Sequence, residues 1–282
     1  AGDGPNDTGT SDQFTDVQLI TADVGCIDPS SLSATPVGVV FKSEKGIYIL
    51  GQDLSVKYVG AKVEQFNAQN VTSADLLSDV NQVRFLTSSG SELCFNYYFD
   101  EWTTASNHEG KDAVVWRGVY AYLRNNGTVF VENSSKYLDD NTPYSMLLSS
   151  SWIKLAGVQG FQRVRRLIVL GDYFTDHKLV VRVGYDYELG FSQEYIFDAG
   201  AVIETETFGD DPIYGSDPLY GGDSDGVYQF RVHLERQKCQ AVRFEFEDVM
   251  SDTYGQSFSL SELALEVGSK QGLNKLRDNK TL

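Results

Sequence analysis

Three histidines, His108, His177 and His233, come first in a search for chemistry, because an imidazole can hold a metal or move a proton near neutral pH. No two of them stand at H-x-x-H or H-E-x-x-H spacing, so neither a zinc site nor a metal-assisted base is expected. Cys26, Cys94 and Cys239 are odd in number and far apart, which predicts unpaired thiols of a reducing compartment. Cys94 falls on an alternating strand pattern and reads as a structural thiol rather than a nucleophile. No G-x-S-x-G elbow, P-loop or G-x-G-x-x-G run is present. The chain has 40 Asp and Glu, so a glycosidase-like pair could be assembled from almost any two, and that abundance is not evidence for one.

Two short tracts invite a closer look. DSDG (223–226) opens like a calcium loop but lacks the later ligands and the distal Glu, so a solvated acidic loop is the expectation. In QRVRR (162–166), strand alternation puts Arg163 and Arg165 on one face and Val164 on the other. Ion pairs between subunits are expected there, rather than contact with nucleic acid. The matches Asn70-Val-Thr and Asn126-Gly-Thr carry little weight without a secretion signal. No catalytic, cofactor-binding or metal residue is assigned, no cofactor is expected, and the chain reads as a non-enzyme.

Charge narrows the partners. The formal net charge is −17, residues 1–37 hold six Asp and no Lys or Arg, and eleven acids without a cation lie between Arg182 and Arg231. They are Asp186, Glu188, Glu194, Asp198, Glu204, Glu206, Asp210, Asp211, Asp217, Asp223 and Asp225. Tight nucleic-acid binding needs the opposite field, because cations must displace the counterions around phosphates. No stretch approaches the ~20 apolar residues that span a bilayer, so no membrane segment is expected. The opening AGDGPNDTGTSDQF has neither a basic start nor an apolar run, and shows no signal peptide.

The elements that would carry these residues are strands. Tyr and Phe number 16 each, and flat or branched side chains pack well on a pleated surface. Three segments align without gaps: VVFKSEKGIYIL (39–50), VRFLTSSGSELC (83–94) and YAYLRNNGTVFV (120–131). In each, an aromatic (Phe41, Phe85, Tyr122) stands five residues before a Gly (Gly46, Gly90, Gly127). Alternation before each Gly, and a polar run just ahead of it, predict one hairpin used three times. At the same offset Tyr58 falls on Trp102. A repeat of about 40–45 residues holding several short strands is the spacing of a propeller blade. Residues 38–145 are therefore expected to form four-stranded blade-like sheets, too few to close a ring, so the chain reads as the C-terminal part of a longer polypeptide. Residues 1–37 read as an acidic linker with a lead-in strand.

Residues 146–282 follow a different pattern. Longer alternating strands are expected at 161–173, 177–188, 227–236, 241–249 and 258–267, with no amphipathic helix longer than about two turns. A β-sandwich or jelly roll is the natural closed solution. Residues 208–226, with the echo DPIYG and DPLYG, form a connection longer than usual.

These residues resemble the β-propeller tail proteins of short-tailed bacteriophages, of the nozzle or tail-hub class. The carriers are VGCIDPSSLSATPVGVVFKSEKGIYILGQDLSVKYVGAKVE (24–64), VRFLTSSGSELCFNYYFDEW (83–102), QGFQRVRRLIVLGDY (159–173), GGDSDGVYQFRVHLERQKCQAVRFEFED (221–248) and LNKL (273–276). The likeness covers most of the chain, and its motifs are structural rather than catalytic. It implies an all-β virion tail protein, assembled in the bacterial host cytoplasm as a homo-oligomer, often a six-fold ring. It further implies docking to portal, adaptor and other tail proteins, with DNA only in transit through the central channel. The acids of 183–230 are expected to line part of that channel. A carbohydrate- or receptor-binding module is the alternative, since jelly rolls carry such sites and aromatics supply stacking platforms.

Overall fold

In the computed structural model the three aligned segments are hairpins, and their glycines show why the turns form there. Gly46, Gly90 and Gly127 have φ of 122°, 83° and 86°, a region that side chains with a Cβ disfavour. At Gly46 a Cβ would also come 2.7 Å from a ring carbon of Tyr58. The structure describes residues 19–140, 142–155, 161–175, 177–198, 227–250 and 255–268. The chain divides into two compact units, Ala1–Asn133 and Ser134–Leu282.

In the first unit every sheet is a meander in which each strand pairs with the next. Strands β1 (Ser33–Thr35), β2 (Gly38–Ser43), β3 (Gly46–Gly51) and β4 (Val56–Tyr58) form one four-stranded antiparallel sheet. A second comprises β5 (Val71–Leu77), β6 (Gln82–Thr87), β7 (Glu92–Asn96) and β8 (Glu101–Ala105). The third has three strands, β9 (Gly110–Trp116), β10 (Val119–Arg124) and β11 (Val129–Val131). No fourth strand joins this sheet among the described residues. NSSKYLDD (133–140) offers turn formers instead of alternation, and the bridge Asp139↔Thr142 closes a turn at its end. In the first sheet, β1 lies inside 1–37, where a lead-in strand was expected, and it pairs with β2 as the first strand of that sheet.

The three sheets stack through two shared cores. Val40, Ile47 and Ile49 of the first sheet pack with Val71, Val83, Phe85, Leu93 and Phe95 of the second. Trp102 stacks on Phe95 at 4.7 Å and on Phe85 at 6.0 Å, and its indole N–H donates to the Val59 carbonyl at 2.8 Å. On the opposite face of the second sheet, Leu77 and Leu86 meet Tyr120 and Tyr122, with Phe130 alongside. Phe85 and Tyr122 thus fill equivalent places in successive cores. Phe41 occupies the corresponding face of the first sheet, in a groove of about 440 Å³ shared with Leu19, Ile20, Val24 and Cys26.

The second unit contains two antiparallel sheets around one core. The first is ordered β12 (Met146–Ser149), β18 (Val242–Met250), β14 (His177–Tyr185) and β15 (Gln193–Asp198). In the second, β13 (Gln162–Tyr173) is central. β19 (Phe258–Gly268) lies on one edge of it, and β16 (Val227–His233) and β17 (Lys238–Cys239) share the other. Val164, Leu167 and Val169 of β13 pack against Leu179, Val181 and Val183 of β14 and Phe244 and Phe246 of β18. Phe197 of β15 meets Phe230 of β16 at 4.7 Å, which sets those two strands on the same flank. β12 and β19 therefore share the other flank.

The chain is thus all-β, built of antiparallel sheets of which none closes on itself. The only helical turns among the described residues are the 3-10 segments Pro29–Ser31 and Gly60–Phe66. No described helix is long and apolar enough to cross a membrane.

Candidate functional site

The richest cluster of polar side chains lies between the second and third sheets of the first unit. β6 and β7 pair Arg84 with Cys94 and Leu86 with Glu92, which puts Arg84, Cys94 and Glu92 on the face that packs against β10. Glu92 is 2% exposed and is the centre of the cluster. His108 Nδ1 lies 2.5 Å from Glu92 Oε2, the Cys94 thiol donates to Glu92 Oε1 at 3.5 Å, and an Arg84 Nη lies 3.5 Å from the same oxygen. Arg84 also pairs with Glu132 at 3.0 Å, and its guanidinium sits 4.9 Å from the Tyr120 ring centre. The Tyr120 hydroxyl and Arg84 Nε are buried without a hydrogen-bond partner.

Electrostatics make this arrangement a pin rather than a reactive centre. Burial, then the Glu92 charge, push the Cys94 thiol up to about 12. At pH 8 it therefore holds only about one part in 10⁴ as thiolate, the reactive form. Burial opposes the charge of Arg84, but the hydrogen bond to Glu132 and the field of Glu92 hold it above its ordinary value. Burial raises the Tyr120 hydroxyl far above the usual range, and the Glu92 and Asp75 charges add to this. A nucleophilic triad needs the imidazole between thiol and carboxylate. Here the carboxylate stands between the other two. Iodoacetamide at pH 8 is expected to alkylate the exposed Cys26 at once, while Cys94 and the buried Cys239 react only after denaturant is added. Peptide mapping by mass spectrometry reads the order, and early labelling of Cys94 would contradict this account of its environment.

The other histidines stand apart from this cluster. His177, 1% exposed, faces Asp248, 3% exposed, with Nδ1 3.1 Å from Oδ2 inside the second core. Its Nε2 and Asp248 Oδ1 have no hydrogen-bond partner. His233 ends β16, and its carbonyl accepts hydrogen bonds from Gln193 and the Tyr195 hydroxyl. No group of three metal-ligating side chains occurs among the described residues.

In QRVRR the structure departs from simple alternation. A register shift between Val164 and Arg166 lets Arg165 and Arg166 both reach Glu266 on neighbouring β19, Arg165 at 3.5 Å. Two of the three arginines thus make ion pairs within the chain, where pairs between subunits had been expected. Gln162 is buried and binds the backbone of Ile153 and Leu155.

The acidic run is also less bare than its sequence implies. Asp186 and Glu188 pair with Arg236, Glu194 with Arg182, and Asp198 with Lys178. The cations come from outside the run because adjacent strands bring them beside it. Arg182 alone holds Glu194 at 2.8 Å, Glu245 at 3.0 Å and Glu247 at 2.6 Å. The remaining seven acids, Glu204, Glu206, Asp210, Asp211, Asp217, Asp223 and Asp225, lie outside the described residues, as does the DSDG tract.

The sequence did not single out Glu92, although a signal existed. It follows Gly90 on an otherwise apolar hairpin arm, and Arg84 interrupts the facing arm. Comparison with protein-family models and with curated proteins found no match to the chain.

Proposed function

We propose that the chain is a structural, non-catalytic component of an oligomeric assembly, and specifically a nozzle or hub protein of a bacteriophage tail. The observation that carries this reading is the end of the sheet stack. On β9–β11 the face turned away from the second sheet presents Val114, Trp116, Val119, Val129 and Val131, each 41–65% exposed. The opposite face carries Tyr120, Tyr122 and Phe130, so this sheet is apolar on both sides. A sheet with two apolar faces is built to be covered twice. Further sheets stacking at both ends would extend the series towards a propeller, and Phe41 at the first sheet marks the equivalent place there. In the second unit the strand orders β12-β18-β14-β15 and β19-β13-β16 support a jelly-roll reading, in which no described strand fills the eighth seat beside β19. The net charge of −17 suits a conduit wall, which repels phosphates and lets DNA slide.

Native mass spectrometry with negative-stain imaging tests the reading. A six-fold ring is expected from the assembled protein, and a monomer at all concentrations would overturn it. A second reading, a glycan- or receptor-binding module, rests on Tyr98 and Phe99, which are 73% and 68% exposed with ring centres 5.8 Å apart. Glycan-array binding that disappears in Tyr98→Ala would favour that module.

A further inference from the structure

Among the described residues, the flank of the second unit that β12 and β19 share presents a free backbone edge beside exposed apolar side chains. Along its 11 residues β19 pairs with β13 on one edge, and among the described residues no strand pairs with its other edge. A long edge strand is a template for another chain unless Lys, Pro or a short length blunts it. FSLSELALEVG contains neither Lys nor Pro, and its one bulge, at Ser261, leaves Glu262–Gly268 as a regular edge. The side chains beside that edge are uncovered although they point inward. Leu263 lies opposite the fully buried Val169, yet is 42% exposed. Met146 and Leu148 of β12 lie opposite the buried Asp248 and Phe246, yet are 38% and 43% exposed. β12 and β19 share a flank, so the exposed side chains of both layers lie beside the seat next to β19 that no described strand fills.

We propose that this flank seats an extended segment of another polypeptide, apolar at alternate positions and cationic between them, added antiparallel to β19. The backbone edge supplies the ladder, and Met146, Leu148 and Leu263 supply the pockets for alternate side chains. Charge selects the partner. The outer face of β19 carries Glu262 and Glu266, and Glu266 is already held by Arg165 and Arg166. Glu262 remains for a cation opposite it. Pairing β19 with β19 of a second copy would offer Glu262 no cation, because Arg165 and Arg166 of each copy already hold Glu266. Residues 1–18 and 269–282 lack apolar residues at successive alternate positions, and the run 199–226 carries seven acids and no cation. The chain's own sequence therefore supplies no better occupant.

The test uses the full chain and the synthetic peptide Thr-Val-Lys-Val-Thr-Val-Lys-Val-Thr, with a scramble of the same composition that breaks the alternation. Hydrogen exchange read by NMR follows the β19 amides, of which alternate ones face the open edge. The alternating peptide is expected to slow those amides at least about 10-fold and leave the β13-facing amides unchanged, while the scramble does nothing. Leu263→Lys, at a half-exposed site that leaves the core intact, should weaken the peptide at least about 30-fold. Unchanged edge amides, or equal effects of peptide and scramble, would overturn the proposal. Protection that appears without peptide and grows with protein concentration would also overturn it, in favour of a second copy. None of these readouts depends on a six-fold ring, so the proposal and the tail reading can fail separately.

Discussion

Phe85→Ala is expected to destabilise the first unit by about 3–5 kcal/mol, the range for emptying a fully buried aromatic site. Phe85 is 0% exposed, packs with Val40, Ile47 and Leu93, and lies under Trp102. Sheets on both sides restrict collapse around the gap, which argues for the upper half of that range. For a unit of this size the loss lowers Tm by about 10–15 °C. Phe85→Leu keeps most of the volume and should cost less than about 1.5 kcal/mol. Urea titration followed by Trp102 fluorescence measures both. A loss under about 1 kcal/mol for Phe85→Ala would mean that the two sheets do not share this core.

Asp248→Ala should rank next, at about 3 kcal/mol, because it leaves His177 buried with no partner for Nδ1. Asp248→Asn keeps an acceptor and should cost less. The informative variant removes both groups. His177→Leu with Asp248→Leu replaces two buried polar groups, each already missing one partner, with apolar volume. It should recover most of the loss or exceed the parent, since a buried pair is weak evidence for stability. Chemical denaturation of the three variants gives the order. If the double variant were as unstable as Asp248→Ala, the pair would be holding something beyond each other.

The hairpins were legible in the sequence because their turns depend on backbone geometry that few residues tolerate. Gly46, Gly90 and Gly127 announced themselves for that reason. The arm after each turn was not legible, because loop length sets its register. Ser43 pairs with Gly46 across a two-residue turn, whereas Thr87 meets Ser91 and Arg124 meets Thr128 across three residues. A gapless alignment is then one residue out after the Gly, and one residue reverses the face. Glu92 aligns with Tyr48 in sequence but shares the inward role of Ile47 in the fold. That single step hid the Arg84–Glu92–His108 cluster. Likewise, alternation placed Arg163 and Arg165 correctly up to the register shift at Val164, where the rule of two stops applying. The pairing of the acids was illegible for another reason: Arg236 and Arg182 are near Asp186 and Glu194 only after the strands assemble.

Arg166 and Glu266 touch across 100 residues of sequence. In the first unit each strand pairs with its immediate successor, so each sheet can form soon after it leaves the ribosome. The central strand of the second unit cannot complete its ladder until β19 has been made. At about 5–20 residues per second, that wait lasts roughly 5–20 s. Even after β16 has paired with one side of β13, the other side stays an open edge beside Val164, Leu167 and Val169 until β19 arrives, the condition that recruits chaperones and seeds aggregation. Synthesis order thus makes the second unit the slow step, and slower translation between β13 and β19 should lower the soluble yield while leaving the first unit folded.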